Sequence, residues 1–248
     1  MFRGEGTVIN VMTVLIGSGI GVAVGHRLPE RTRTVVTDAL GLVTLLIAAL
    51  AAMAVIDGVF TSQVGPDAPV LIVLGSLLIG GILGSLAGIE TGLESFGGWL
   101  QRRLARSSAS TERQRFIEGF VTASLVFCVG PLTILGSIND GIGNGSDQLI
   151  LKSALDGFAA VAFAASLGIG VMASAIAVLV IQGSLTVLGF LLGSFLPEAH
   201  LLALTATGGL LLAGVGIRLL QIKAVQVADL LPALLVAPLL TELVITLR

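Results

Sequence analysis

Residues 154–195 run largely apolar, interrupted by Asp156, Gln182 and small polar side chains. A helix needs about 20 apolar residues to cross the hydrocarbon core of a bilayer, so this one run is long enough for two crossings. The expected reversal is Ser166-Leu167-Gly168-Ile169-Gly170, where two glycines favour a tight turn. The same ruler places further spans near 6–25, 34–57, 69–89, 116–137, 201–219 and 225–245. A chain with such runs can satisfy its backbone in lipid only as helices or as a closed barrel. The length and continuity of the runs choose helices. The expected fold is all-α, a polytopic transmembrane helix bundle of about eight spans.

Composition agrees. The chain is 55% hydrophobic and 11% charged, with a mean hydropathy of +1.05, whereas soluble domains carry about 25% charge. Glycine is 33 of 248 residues, and small residues let helix backbones approach closely in membranes. The single Cys128 excludes an intramolecular disulfide and a cysteine metal cluster. A net charge of −2 offers no basic surface for nucleic acid. The opening residues lack a cationic n-region and a small-residue cleavage site, so the first apolar stretch is expected to be retained.

Loop charges give an expected orientation. With the N-terminus outside, the inside loops hold Arg27, Arg31 and Arg33, then Arg102, Arg103, Arg106, Arg113 and Arg115, then Arg218 and Lys223. The outside segments hold only Arg3, Lys152 and Arg248. That asymmetry follows the positive-inside rule and favours eight crossings.

Residues 21–42 recur without a gap at 189–210. Gly21, Gly25, Leu28-Pro29-Glu30, Thr37 and Gly41-Leu42 match Gly189, Gly193, Leu196-Pro197-Glu198, Thr205 and Gly209-Leu210. The first copy begins on span 1 and the second on span 6, five crossings later, so the copies face opposite ways. Spans 1–3 and 6–8 thus form an inverted repeat around a central pair, spans 4 and 5, as in several transporter folds. The expected organisation is one integral membrane domain over 1–248. Within it, 1–89 is the first repeat, 90–115 a basic cytoplasmic loop, 116–168 the central spans and 169–248 the second repeat. Trp99–Arg106 within that loop reads equally as a basic amphipathic helix on anionic lipid or as solvated loop, with Ser107–Ser110 as its flexible middle.

Two small-residue ladders mark packing faces: Gly17, Gly21 and Gly25 on span 1, and Ser76, Gly80, Gly84 and Gly88 on span 3. A spacing of four places each set on one helix face. Packing within the bundle outweighs a homo-oligomer face. Charges inside spans are costly and mark candidate functional groups. Most acids, including Asp38, Asp57, Glu118, Asp229 and Glu242, fall at span ends, where the cost is small.

The informative region is 128–156. Pro131 lacks a donor and disfavours helix at Gly130, so span 4 is expected to be kinked or broken there. Ser137, Asn139 and Asp140 follow, and a glycine-rich loop leads to Lys152 and Asp156, which share a face at i and i+4. Their order is the weaker one for an exposed pair, so further partners or a ligand would explain them, and an ordinary interfacial pair is the equal alternative. Gln182 lies mid-span in apolar surroundings and must find hydrogen-bond partners, and Asn10 is a weaker case of the same kind. Calcium-loop spacing fails for Asp140, Asn144 and Asp147. His26 and His200 lack helical metal partners, and no hydrolase, zincin or P-loop motif occurs. Neither a metal nor a cofactor is expected, and no enzyme.

Several stretches resemble the YqgA/YdfK-like family of uncharacterised bacterial multi-pass inner-membrane proteins. They are Gly6-Thr7-Val8-Ile9-Asn10, Phe127-Cys128-Val129-Gly130-Pro131, Gly136-Ser137-Ile138, Asp140-Gly141, Lys152-Ser153 with Leu155-Asp156-Gly157, Ser166–Val171 and Gln182-Gly183-Ser184. The resemblance implies bacterial origin, an integral plasma-membrane location and a transport-like role. The expected function is therefore a small-solute or ion transporter or channel. Its polar site is built from Pro131, Asn139, Asp140, Lys152, Asp156 and Gln182, and its partners are the bilayer and a small solute or ion. The alternative is a non-transporting scaffold or sensor acting through the 90–115 loop.

Overall fold

The computed structural model describes residues 3–25, 29–104, 110–128, 131–143, 145–192 and 197–248. Among them lie eleven α-helices and no strand: α1 Glu5–Gly25, α2 Glu30–Ala52, α3 Gly58–Val64, α4 Ala68–Ala87, α5 Ile89–Leu104, α6 Ser110–Cys128, α7 Pro131–Ile142, α8 Asp147–Leu167, α9 Gly170–Leu192, α10 Glu198–Leu219 and α11 Ala233–Thr246. Seven stretches are long and apolar enough to cross a membrane singly, α2 together with the 3-10 turn after it and α11 together with the one before it. The pair α6–α7, bent by 74°, makes an eighth if counted as one broken span. The helices part at Pro131, where the missing N–H and fixed φ end the ladder. The apolar run 154–195 divides at Gly168 (φ +84), a conformation glycine adopts without a Cβ penalty. Outer faces are apolar: α2 exposes Leu42, Leu46 and Leu50, and α4 exposes Leu71, Leu78, Ile82 and Leu86. Stripes of this size suit lipid and not water.

Two compact units are built from interleaved sequence: Met1–Leu40 with Leu93–Ser194, and Gly41–Gly92 with Phe195–Arg248. In the first unit α1 lies along α8 through the Gly17/Gly21/Gly25 ladder. A Cβ at these positions would meet the carbonyl oxygens of Gly157 (2.4 Å), Val161 (2.3 Å) and Ala165 (2.6 Å), so only glycine permits this backbone approach. In the second unit Gly80 and Gly84 play the same part for α4. Their Cβ atoms would meet Ala233 N (2.2 Å) and Asp229 O (1.9 Å). Helices α2 and α10 of this unit approach reciprocally. Gly41 faces Leu220 and Gly216, while Gly209 faces Ala48 and Ala52.

The structure corrects three expectations. Gly88 is not part of the packing ladder: it caps α4 at φ +63, and a Cβ there would meet nothing within 4 Å. The 90–115 loop is largely helical, as α5 runs to Leu104 and α6 begins at Ser110, although residues 105–109 lie outside the described set. Within α5, Leu100 is buried while Glu94, Trp99 and Arg102 are exposed. Span 5 starts earlier than expected, at Asp147, so Lys152 and Asp156 fall about one and a half and two and a half turns inside α8.

Candidate functional site

The polar interior of the first unit is assembled on α1, α7, α8 and α9. Lys152 and Asp156 are both buried, 5% and 8% exposed, and form an ion pair along α8. The parallel packing of α1 on α8 brings Asn10 to the same carboxylate, where Asn10 Nδ2 donates to Asp156 Oδ2 at 2.9 Å. Asp140 on α7 is also buried, and its carboxylate accepts from the backbone N–H of Gly4 (3.2 Å) and Gly6 (3.1 Å), at the start of α1. A carboxylate there satisfies the free donors of a helix N-terminus and complements its dipole. Asp140 thus tethers α7 to α1 and is not a member of the Lys152–Asp156 pair.

Register between α1 and α9 is fixed by several contacts. The hydroxyls of Thr7 and Thr186 share a hydrogen bond of 3.1 Å. A Cβ at Gly19 would lie 3.7 Å from Met172 Cε. An apolar groove is lined by Val11 and Leu15 together with Met172, Ile176 and Leu179. Rising numbers on one helix meet falling numbers on the other, so the helices are antiparallel and Gln182 lies level with Asn10. Gln182 is fully buried, and neither its Nε2 nor its Oε1 has a hydrogen-bond partner. Asn10 Oδ1 and Ser137 Oγ are likewise buried and unpartnered. Each such group costs about 1–3 kcal/mol unless something else satisfies it.

Of the sequence candidates, the structure brings Lys152 and Asp156 into contact and places Gln182 at the level of their neighbour Asn10. It does not bring Asn139 to them: Asn139 Nδ2 donates to Gln148 Oε1 (3.2 Å) in an exposed hydrogen bond, off the face of α7 that buries Thr133, Ser137 and Asp140. Pro131 opens α7 and contributes through the break it enforces.

Sequence reasoning missed a second buried charge cluster, in the other unit. Glu90 Oε1 accepts from Arg218 Nη1 (2.5 Å), and Glu90 Oε2 accepts from the backbone N–H of Ala228 (2.8 Å). Asp229 Oδ1 in turn accepts from the Glu90 N–H (2.8 Å). The sequence places Glu90 at the start of the cytoplasmic loop 90–115 and Asp229 at a span end. Both are buried, at 5% and 8% exposure. His200 and Glu242 pair across α10 and α11 at 3.0 Å. Among the described residues no three His, Cys, Asp or Glu side chains converge on a common point.

Apolar helices with costly buried charges between them define a polytopic helical membrane protein. Over residues 5–242 the chain matches the family described as Protein of unknown function (DUF554), and it belongs to that family. It is 32% identical to the Uncharacterized protein YqgA of Escherichia coli (strain K12) across 94% of each chain. It is 28% identical to the Uncharacterized membrane protein YdfK of Bacillus subtilis (strain 168), across 94% of this chain and 93% of that one. No solved structure matches.

Proposed function

We propose that the protein is a transporter or channel for a small solute or ion in the bacterial plasma membrane, not an enzyme, with its path through the polar interior of the first unit. The observation that carries this reading is Gln182. A fully buried amide with both polar atoms unpartnered, level with Asn10 and near a buried ion pair, is expensive in a bundle unless a passing ligand or water completes it. Intramembrane ionisable residues are by default functional-site candidates, and the broken α6–α7 pair beside them is a device that transporters use.

An inverted repeat supports the same reading. The offset that carries Gly21 onto Gly189 carries α1 onto α9 and α2 onto α10, nearly end for end. It also exchanges the partners of Gly41 and Gly209 in the α2–α10 contact. The orientation proposed from loop charges, with the N-terminus outside, gives the two copies opposite senses across the membrane.

The test is reconstitution into liposomes, with currents recorded on a solid-supported membrane during jumps of sodium, potassium, protons and a panel of amino acids. The reading predicts a saturable current from at least one of these, lost in Asp156→Asn. Silence from every probe with correctly folded protein contradicts it. A scaffold or sensor role is the second reading. It is favoured by the exposed Phe96–Trp99 stack (5.6 Å) on α5 beside exposed Arg102, a surface that suits a lipid headgroup region.

A further inference from the structure

We infer that Asp156 is the carboxylate ligand of a monovalent metal cation, with Asn10 and Gln182 supplying neutral oxygens beside it and Lys152 acting as the chain's own stand-in for that cation. This rests on the reading of the first unit's interior as the working path.

Asp156 receives two donors, Lys152 Nζ and Asn10 Nδ2, both on its Oδ2. Among the described residues, no hydrogen bond reaches its second oxygen. Asn10 uses its amide N–H on the carboxylate and leaves Oδ1 buried and unpartnered. Gln182, level with it across the α1–α9 seam, leaves Oε1 in the same condition. A buried carboxylate is thus bonded to an amide whose own oxygen is unspent, and a second unpartnered amide lies level with that amide on α9. Oxygen donors of this kind are the ligands of hard cations. The single carboxylate sets the charge. Calcium and magnesium sites draw on several carboxylates or waters, whereas one carboxylate balances one monovalent ion.

Lys152 gives the site an empty-state counter-ion. Without it, Asp156 would be an uncompensated buried charge, costly by several kcal/mol. Only one of its three ammonium N–H groups is needed for the pair. Its stem is long enough to carry the ammonium back toward the first turn of α8, where Asp147 is exposed. Cation entry and Lys152 withdrawal therefore exchange one positive partner of Asp156 for another. The ammonium stays protonated and no covalent bond changes.

The sign of the Lys152 effect separates this from a structural salt bridge. The purified full-length protein is titrated with sodium, lithium or potassium chloride, balanced at constant ionic strength by N-methyl-D-glucamine chloride, while thermal unfolding is followed through Trp99 fluorescence. A cation bound only by the folded state raises the midpoint saturably. The expected result is a saturable shift in wild type by at least one of the three ions. Its apparent affinity should tighten about tenfold or more in Lys152→Met, weaken at least about fivefold in Gln182→Leu, and vanish in Asp156→Asn. Radioactive sodium binding to Lys152→Met in detergent gives a second readout that needs no folded Asp156→Asn. No saturable shift by any ion in either wild type or Lys152→Met overturns the inference, as does an unchanged or weaker affinity in Lys152→Met. If an amino-acid current persists in liposomes under those results, transport stands and only the cation fails.

Discussion

Two buried charge clusters, Glu90 in the second unit and Asp156 in the first, are satisfied to different degrees. In the second unit, both Glu90 oxygens are taken, by Arg218 and the Ala228 N–H, and Asp229 in turn accepts the Glu90 N–H. In the first unit, Asp156 holds Lys152 and Asn10 on one oxygen, while Gln182 and Asn10 leave polar atoms buried and open. A closed network ties α5, α10 and the chain before α11 at one point and asks for nothing further. An open network in the same kind of apolar protein carries a standing cost, and such costs persist where a ligand relieves them. On the proposed reading, the difference separates a structural staple from a working site.

The largest expected effects come from the close helix approaches on which both units depend. Gly84→Leu would drive a side chain into Asp229 O, and Gly21→Leu into Val161 O, from Cβ positions 1.9 and 2.3 Å away. Each should remove folded protein from detergent extracts, as read by size-exclusion chromatography, since overpacking costs about 1–3 kcal/mol or more even without a backbone clash. Gly88→Ala, at φ +63 in open space, should cost only about 1 kcal/mol. Equal losses at Gly84 and Gly88 would contradict the packing assignment.

Next is Glu90→Ala, which strands Arg218 and the Ala228 N–H. Breaking a buried pair costs about 3 kcal/mol, so the unfolding midpoint should fall clearly while the transport current per folded molecule is kept. Gln182→Leu should do the reverse. Removing an unpartnered buried amide stabilises by about 1–2 kcal/mol, yet the current should fall. A destabilised Gln182→Leu with full current would place Gln182 among structural groups and erase the contrast. The smallest effect belongs to Arg102→Gln on α5, within about 0.5 kcal/mol and without loss of current. A lost current there would favour the scaffold or sensor reading.

The spans were largely legible in the sequence because their signals are local. Run length located the helices, Pro131 marked the break between α6 and α7, and Gly168 marked the turn between α8 and α9. The Lys152–Asp156 contact was legible for the same reason, being one helical turn apart. Helix α5 was legible only as one of two alternatives over Trp99–Arg106, and its first two turns were not, because charge density there outweighed the amphipathic period. The Glu90 cluster and the Asp140 tether were missed for another reason: they join residues 128 to 139 positions apart, and no local pattern pairs such groups. Gly88 misled because it continues a spacing of four but occupies a left-handed cap, and spacing carries no information on φ.

The most direct test replaces the open pair with apolar side chains of similar size. Lys152→Met combined with Asp156→Leu removes both charges together, so neither is stranded, and such exchanges are often neutral or stabilising. Currents from the ion and amino-acid panel are then compared in liposomes holding equal amounts of folded protein. The account predicts an unfolding midpoint equal to or above wild type and no current. A double variant that folds and conducts like wild type would show that the first unit's buried pair is as structural as the second's.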